Sequence, residues 1–373
     1  MYTGLRPTVS ARLPMMAGTV PDTIMYEVTV RLTDSTAATE YLAKMASPTV
    51  VLSSNREHVS SHQIEKQFNL NIAVIEKIPL DGEIGKAQLE GEFTGMSELY
   101  NLMPTLVPKP YAWGALKGVS SPVYFLLVEF KHFRSGRLPD PVKLGSRLAA
   151  LHRKSVSSTG KFGFHMTTYD GARTQAVEWD SSWTSFFSKL LAEAYRHDVE
   201  TNGHWEELDR VFTRTQSHYL IPRPVGVLES GGRSIKPCLI HRDLWEGNIG
   251  TDAETGDPWI FDAAAYYAHH EMELGIWRAE RHELRAEIYR EEYFRHMLPS
   301  EPVEECDDRN RLYSVKTNLM HSACVRGSPA RQQAYNDLVY LIDKYVPWTK
   351  GPKDPHDWNQ QSGDISEVAS LSC

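Results

Sequence analysis

The chain has little cysteine: four residues in 373, Cys238, Cys306, Cys324 and Cys373, with no C-x-x-C pair among them. That scatter suggests neither a disulfide framework nor a structural zinc site, and it suits a reduced compartment, with a cytoplasmic location expected. No apolar run approaches the ~18 residues that a membrane-spanning helix needs. The first twenty residues carry Arg6 and Arg12 and no acid, but they lack the continuous apolar core of a secretory leader. A transit peptide is the alternative left open there. Positive charge is not in excess either, because 40 Lys and Arg against 48 Asp and Glu leave a formal net charge of −8. Neither nucleic acid nor a membrane is therefore expected as a partner. Also missing are an internal repeat and a clear glycine-rich phosphate loop, for which Gly18 in MAGTV is the nearest substitute. What is present is length and apolar content, 41% hydrophobic residues, enough to bury the core of a two-lobed molecule.

The pattern along the chain is uneven. Residues 24–33, IMYEVTVRLT, alternate apolar and polar with β-branched members, which predicts a strand. After a turn over 34–38, TEYLAKMA can return as a second strand. The stretch 46–84 reads as an insertion, and its apolar run in FNLNIAVIEKIPL predicts an extra strand. KAQLEGEFTGMSELYNLM then sets Leu89, Phe93, Met96, Leu99 and Met103 at helical spacing, with a stop before Pro104. SPVYFLLVEF is a fully apolar strand ending at Glu129. Helices are predicted over VKLGSRLAALHRKS, SSWTSFFSKLLAEAYRH, WEELDRVFTRTQSHYL, GIWRAERHELRAEIYREEYFRHM and ARQQAYNDLVYLIDKYV, with short strands only at KPCLIHRD and PWIFDAA. The expected fold is α+β: a small β-sheet lobe with one long helix (1–128), a hinge (129–137), a larger mainly helical lobe (138–348) and a disordered tail (349–373). Kinase-like phosphotransferases have this order of lobes, as do other α+β enzymes.

The chemistry concentrates in LIHRDLWEGNIG followed by PWIFDAAAYY. Phosphoryl transfer from ATP asks for a carboxylate beside the attacking hydroxyl and hard oxygen ligands that hold Mg2+ against the phosphates. Asp243 can be that carboxylate, and Asn248 and Asp262 can supply the metal's oxygens. The spacing H-R-D-x-x-x-x-N matches the kinase catalytic loop. The competing reading, three unrelated residues serving as a helix cap, a helix end and a surface turn, would have to reproduce this spacing by accident.

Phe162 to Asp262 resembles the fructosamine/ketosamine-3-kinase family, protein-ribulosamine 3-kinase-like and of fungal type, within the protein-kinase-like and aminoglycoside phosphotransferase superfamily. The resemblance rests on FGFHMTTYDG, EWDSSWTSFF, DLWEGN and FDAAAYYAHHEMEL, with further support from VPKPYAWG, ELGIWR and DDRNRLY; it covers roughly 85–348. It implies a protein-kinase-like fold and transfer of the ATP γ-phosphate to the 3-hydroxyl of ketosamines, on free amines or on glycated lysine of proteins. It also implies roles: Asp243 as base, Asn248 and Asp262 as magnesium ligands, Lys44 in EYLAK as the phosphate-binding lysine and Glu92 as its partner. Glu129 and Phe130 fall at the adenine-binding hinge, where backbone groups make the contacts. Trp245 can wall the sugar pocket or belong to the core.

Departures from the family pattern touch the substrate. The family's usual residue between the histidine and aspartate is glycine, and here it is Arg242, expected to pair with Glu271 or Glu273 or to crowd the sugar site. No D-F-G or A-P-E string follows, which argues against a protein kinase. Glu273 takes the place of a family acid that braces the catalytic loop. Trp179, Trp183, Phe186 and Phe187 read as core, and His269 with His270 lack a completed metal set. The alternatives are a kinase for another small hydroxylated or amino compound, or a catalytically impaired nucleotide-binding module. A monomer or weak homo-oligomer is expected.

Overall fold

The computed structural model describes residues 82–347, apart from 118–123, 135, 217–220 and 222, together with four strands upstream. Those strands are β1 (Ala11–Arg12), β2 (Thr23–Val28), β3 (Leu52–Ser53) and β4 (Ile72–Lys77). After the helix α1 (Gly82–Leu102) come β5 (Pro110–Lys117) and β6 (Tyr124–Glu129). The six strands form one sheet in the order β1-β2-β4-β6-β5-β3. All its pairs are antiparallel except β3 with β5. The strand expected within 46–84 thus forms as a central member, Ile75 lying opposite Met25 of β2 and Leu126 of β6. The return strand at TEYLAKMA, with Lys44, and the tail 349–373 lie outside the described residues.

β6 is apolar at Leu126, Leu127 and Val128 in succession because both its faces are buried. Leu89 of α1 joins Tyr124, Leu126 and Val128 in one cluster, and Phe93, Trp113 and Phe130 pack against it. The predicted helical spacing holds: Leu89, Met96 and Leu99 are all buried. Removing such side chains from water is worth about 1.5–3 kcal/mol each. The helix ends at Leu102 because Pro104 disfavours helical geometry in the residue before it.

The chain divides into two compact units, one of Met1–Ser181 with Lys236–Leu298 and one of Ser182–Ile235 with Pro299–Cys373, so the helices after the expected hinge are shared between them. In the first, α2 (Pro141–Lys154) starts on the N-cap Asp140, whose side chain accepts from the Lys143 amide, with proline in the first turn. At Gly145, α2 meets the helix Glu287–His296 so closely that a Cβ would stand 2.7 Å from the Tyr293 nitrogen. The single long helix predicted over 275–297 does not form. Tight 3-10 turns occupy His270–Arg278 and Glu283–Arg285, and only Glu287–His296 is α-helical. Residues 270–277 are buried throughout, Glu271 and Glu273 included, so contacts to the rest of the unit, rather than one apolar stripe, decide their backbone.

The second unit holds the helices Trp183–Asn202, Glu206–Gln216, Cys306–Cys324 and Ala330–Tyr345. Trp183, Phe186 and Phe187 are fully buried, as expected, and the Trp183 indole donates to the Tyr313 hydroxyl at 3.0 Å. Trp179 belongs to the other unit, where its ring lies 6.0 Å from that of Tyr267. No helix among the described residues is long and apolar enough to cross a membrane.

Candidate active site

Two short strand pairs frame the site. Cys238–Ile240 pairs with Tyr266–Ala268, and Ile249–Thr251 pairs with Pro258–Ile260. Between them the His241–Asn248 loop and the Phe261–Ala265 loop run side by side. The Phe261 amide donates to the Asn248 carbonyl at 3.1 Å and the Ala264 amide to the His241 carbonyl at 3.1 Å. The His241 Nε2 meets the Phe261 carbonyl at 2.9 Å. Arg242 (φ 74°) and Asp262 (φ 60°) are the two non-glycine residues with positive φ among those described. Such conformations cost about 1–3 kcal/mol and persist only where surroundings impose them.

Glu273 imposes one of them. Its buried carboxylate accepts the His241 amide at 2.5 Å and the Arg242 amide at 2.7 Å, the bracing role expected of it. Burial would push this carboxyl up, but His152 and His241 hold it below its ordinary value. Trp277, fully buried, anchors the same loop by donating its indole N–H to the Leu244 carbonyl at 2.7 Å.

Asp243, Asn248 and Asp262 come together. The Asn248 Nδ2 donates to the Asp243 carbonyl at 2.8 Å and to its Oδ2 at 2.9 Å, and lies 3.5 Å from the Asp262 carbonyl. Its amide nitrogen is thus committed to Asp243, and Oδ1 is the atom it can offer a cation. Burial, then the charges of Asp170 and Asp262, push the Asp243 carboxyl up to about 7, against Arg242 and the Asn248 hydrogen bond. Mutual repulsion of this kind marks surplus negative charge, and oxygen donors around such a surplus fit a hard divalent cation.

Arg242 departs from expectation. Its guanidinium, 2% exposed, pairs with Asp170 at 3.3 Å rather than with Glu271 or Glu273, and it hydrogen-bonds the Tyr266 hydroxyl. Glu273 takes only its backbone amide. Asp170 was missed as a site residue, although it stands inside the FGFHMTTYDG string. Arg281 was missed as well; burial pushes its guanidinium down to about 10, opposed by Asp170 and Asp243.

Glu92 is buried on α1, one residue past Gly91. A Cβ at Gly91 would lie 2.8 Å from the Thr167 carbonyl, and one at Gly95 would lie 3.0 Å from the Ala265 Cβ. Gly91 therefore lets α1 approach the segment at Thr167, and Gly95 lets it approach the loop that follows Asp262. The Glu129 carboxylate pairs with Lys131 at 2.6 Å and its amide donates to the Lys109 carbonyl at 2.8 Å, while Phe130 packs on the sheet cluster. Trp245 is half-buried, its ring covering Gly247, where a Cβ would come within 2.3 Å of ring carbon; this accounts for the glycine of DLWEGN. Glu271 joins His269 and His270, which the sequence had left without a third ligand, their ligand atoms within 4.8 Å of one another. His270 Nδ1, however, is already bonded to the Tyr293 hydroxyl at 3.0 Å.

Comparison with known proteins agrees with this geometry. The family model for fructosamine kinase matches residues 39–342. The protein-ribulosamine 3-kinase, chloroplastic, of Oryza sativa subsp. indica is 32% identical over 274 residues, 73% of this chain and 73% of its own length. A crystal structure of a candidate fructosamine-3-kinase from Thermobifida fusca superposes with a TM-score of 0.59 at 17% identity, covering 90% of this chain and 93% of that one. The aminoglycoside phosphotransferase APH(4)-Ia, in a ternary complex with AMP-PNP and hygromycin B, superposes with a TM-score of 0.53 at 11% identity, covering 91% and 95%. These structures share the protein-kinase-like α+β fold with the chain.

Proposed function

The chain belongs to the fructosamine kinase family, and from that premise we propose that it transfers the γ-phosphoryl group of ATP to the 3-hydroxyl of a ketosamine. The acceptor is a ribulosamine or fructosamine adduct on a free amine or a glycated lysine, and the reaction serves repair of glycated protein. The observation that carries this reading is the meeting of Asp243 with Asn248 and Asp262 on a loop braced by Glu273.

In it, Asp243 orients the acceptor hydroxyl and takes its proton as the phosphoryl group arrives. Asn248 holds that carboxylate in place. Asn248 Oδ1 and the Asp262 carboxylate are the residues that would hold Mg2+, which supplies charge neutralisation on the phosphates when bound. Lys44 holds the α- and β-phosphates with Glu92 as its ion-pair partner, and the backbone at Glu129 and Phe130 receives the adenine. Trp245 offers an aromatic face to the sugar ring. The few, scattered cysteines, with no C-x-x-C pair, support work in a reduced compartment such as the cytoplasm.

The test is incubation with Mg-ATP and ribulosyl-lysine, fructosyl-lysine or an aminoglycoside, following ADP release and the phosphorus NMR spectrum of the product. Phosphate on the ketosamine 3-position, lost in Asp243→Asn, supports the proposal. Phosphorylation of the aminoglycoside alone would move the chain to another acceptor class. An unchanged rate in Asp243→Asn would overturn the mechanism.

A further inference from the structure

The segment 167–175, which holds the hairpin of Tyr169–Asp170 and Arg173–Thr174, touches three parts of the site at once. It meets α1 where the Gln88 Nε2 donates to the Gly171 carbonyl at 2.5 Å and where Gly91 lies against the Thr167 carbonyl. It meets the loop after Asp262 where the Gln175 Nε2 donates to the Ala264 carbonyl at 3.2 Å. It meets the catalytic loop through the Asp170–Arg242 pair at 3.3 Å. The last tie is unusual in its chemistry. Arg242 holds a backbone conformation that suits glycine, and it sends a cation that is 2% exposed into the protein to reach a carboxylate 72 residues away. A buried cation of this kind is stable only while its partner stays.

We propose that Asp170 and Arg242 form a built-in positioning pair that locks the catalytic loop to the hairpin, and through the hairpin to the helix carrying Glu92. In protein kinases the arginine at this place reads a phosphate that is added and removed. Here a carboxylate of the chain itself fills that role, so the two halves of the site are coupled permanently and need no modification. Neither residue touches the reacting atoms; both act through Asp243 and α1.

The inference rests on the kinase reading for its kinetic arm and is independent of it for its structural arm. In the kinetic arm, Asp170→Asn leaves Arg242 charged beside a neutral amide and lowers kcat by about tenfold or more, with a rise in KM for ATP. Adding Arg242→Gly removes the stranded cation but not the missing tie, so the double variant recovers only part of the loss in kcat and keeps the raised KM for ATP. A double variant no better than Asp170→Asn, or an Asp170→Asn enzyme with wild-type constants, overturns the proposal. In the structural arm, hydrogen exchange is measured on Arg242→Gly without substrate, after its thermal transition has shown it folded. Faster exchange is expected in 167–175 and in the first turns of α1 as well as at 241–248. Faster exchange confined to 241–248 overturns the coupling, whether or not an acceptor has been found.

Discussion

Replacing Glu273 with glutamine measures how much of the chemistry depends on the backbone beneath Asp243. The Glu273 side chain is fully buried, with its two oxygens on the His241 and Arg242 amides at 2.5 and 2.7 Å and His152 Nε2 3.5 Å from Oε2. Glutamine keeps the shape and one acceptor, but its NH2 end must then face a backbone N–H. One charge-assisted bond worth about 1.5–3 kcal/mol is lost, and a buried donor is left unsatisfied at about 1–3 kcal/mol. The two overlap because they concern the same N–H, so a combined cost of about 2–4 kcal/mol is reasonable. That matches or exceeds the ~1–3 kcal/mol that the positive φ of Arg242 stores. The loop is therefore free to relax, and Asp243, its next residue, moves with it. At 1.36 kcal/mol per decade the loss in kcat reaches about 30-fold to 1000-fold if the whole cost falls on the transition state.

Steady-state kinetics on Glu273→Gln, with the thermal midpoint measured alongside, separates the outcomes. A large fall in kcat with KM for ATP nearly unchanged fits a displaced Asp243. A midpoint lowered by several degrees with kcat kept within about threefold would refute the reasoning, because the brace would then support folding and not catalysis.

Other perturbations test neighbouring claims. Gly91→Ala puts a Cβ 2.8 Å from a backbone oxygen that cannot step aside, so α1 must shift and KM for ATP should rise about tenfold, with a smaller change for Gly95→Ala. Trp183→Phe removes the 3.0 Å bond to Tyr313 and should lower stability by about 1–3 kcal/mol in urea denaturation. Burial pushes the Cys238 thiol up to about 11, so iodoacetamide at pH 8 should label the exposed Cys324 and spare Cys238, as read by peptide mass spectrometry. The same shift sets a sign: the unfolded chain ionises its thiol first, from about pH 8.5, so stability falls as pH rises from there toward 11. Cys238→Ala should flatten that fall in a pH series of denaturation curves.

What could be read from the sequence depended on how local the cause was. Asp243 and Asn248 are five residues apart on one loop, so their pairing could be read directly from the spacing. Pro141–Lys154 and Trp183–Asn202 bury a stripe of one face, so periodicity found them. Cys306–Cys324 was not foreseen as a helix, because it is buried on nearly every side and carries Asp308, Arg309, Asn310, Lys316 and Asn318 inside. Such a helix shows no apolar stripe; its polar residues are matched by partners that periodicity does not see. The segment His270–Arg278 failed in the opposite sense, its helical composition overruled by contacts made all around it.

Arg242 shows the same limit inside the active site. The sequence suggested Glu271 or Glu273 as its partner, both in the turn His270–Arg278 of the same unit. One of those acids does bind it, but through the backbone, because the two loop amides need an acceptor more than the side chain does. The guanidinium is then left to find charge elsewhere, and the carboxylate within reach is Asp170. Since Asp170 and Asp262 both press on the Asp243 carboxylate, an arginine drawn to Asp170 eases that repulsion as well as its own burial cost. A glycine at 242 would suit the backbone but bring no positive charge to that repulsion. Arginine accepts the strained φ and supplies a countercharge to those acids from the protein side. The arginine at 242 and the aspartate at 170 are therefore one feature. Changing either residue without the other should cost more than changing both.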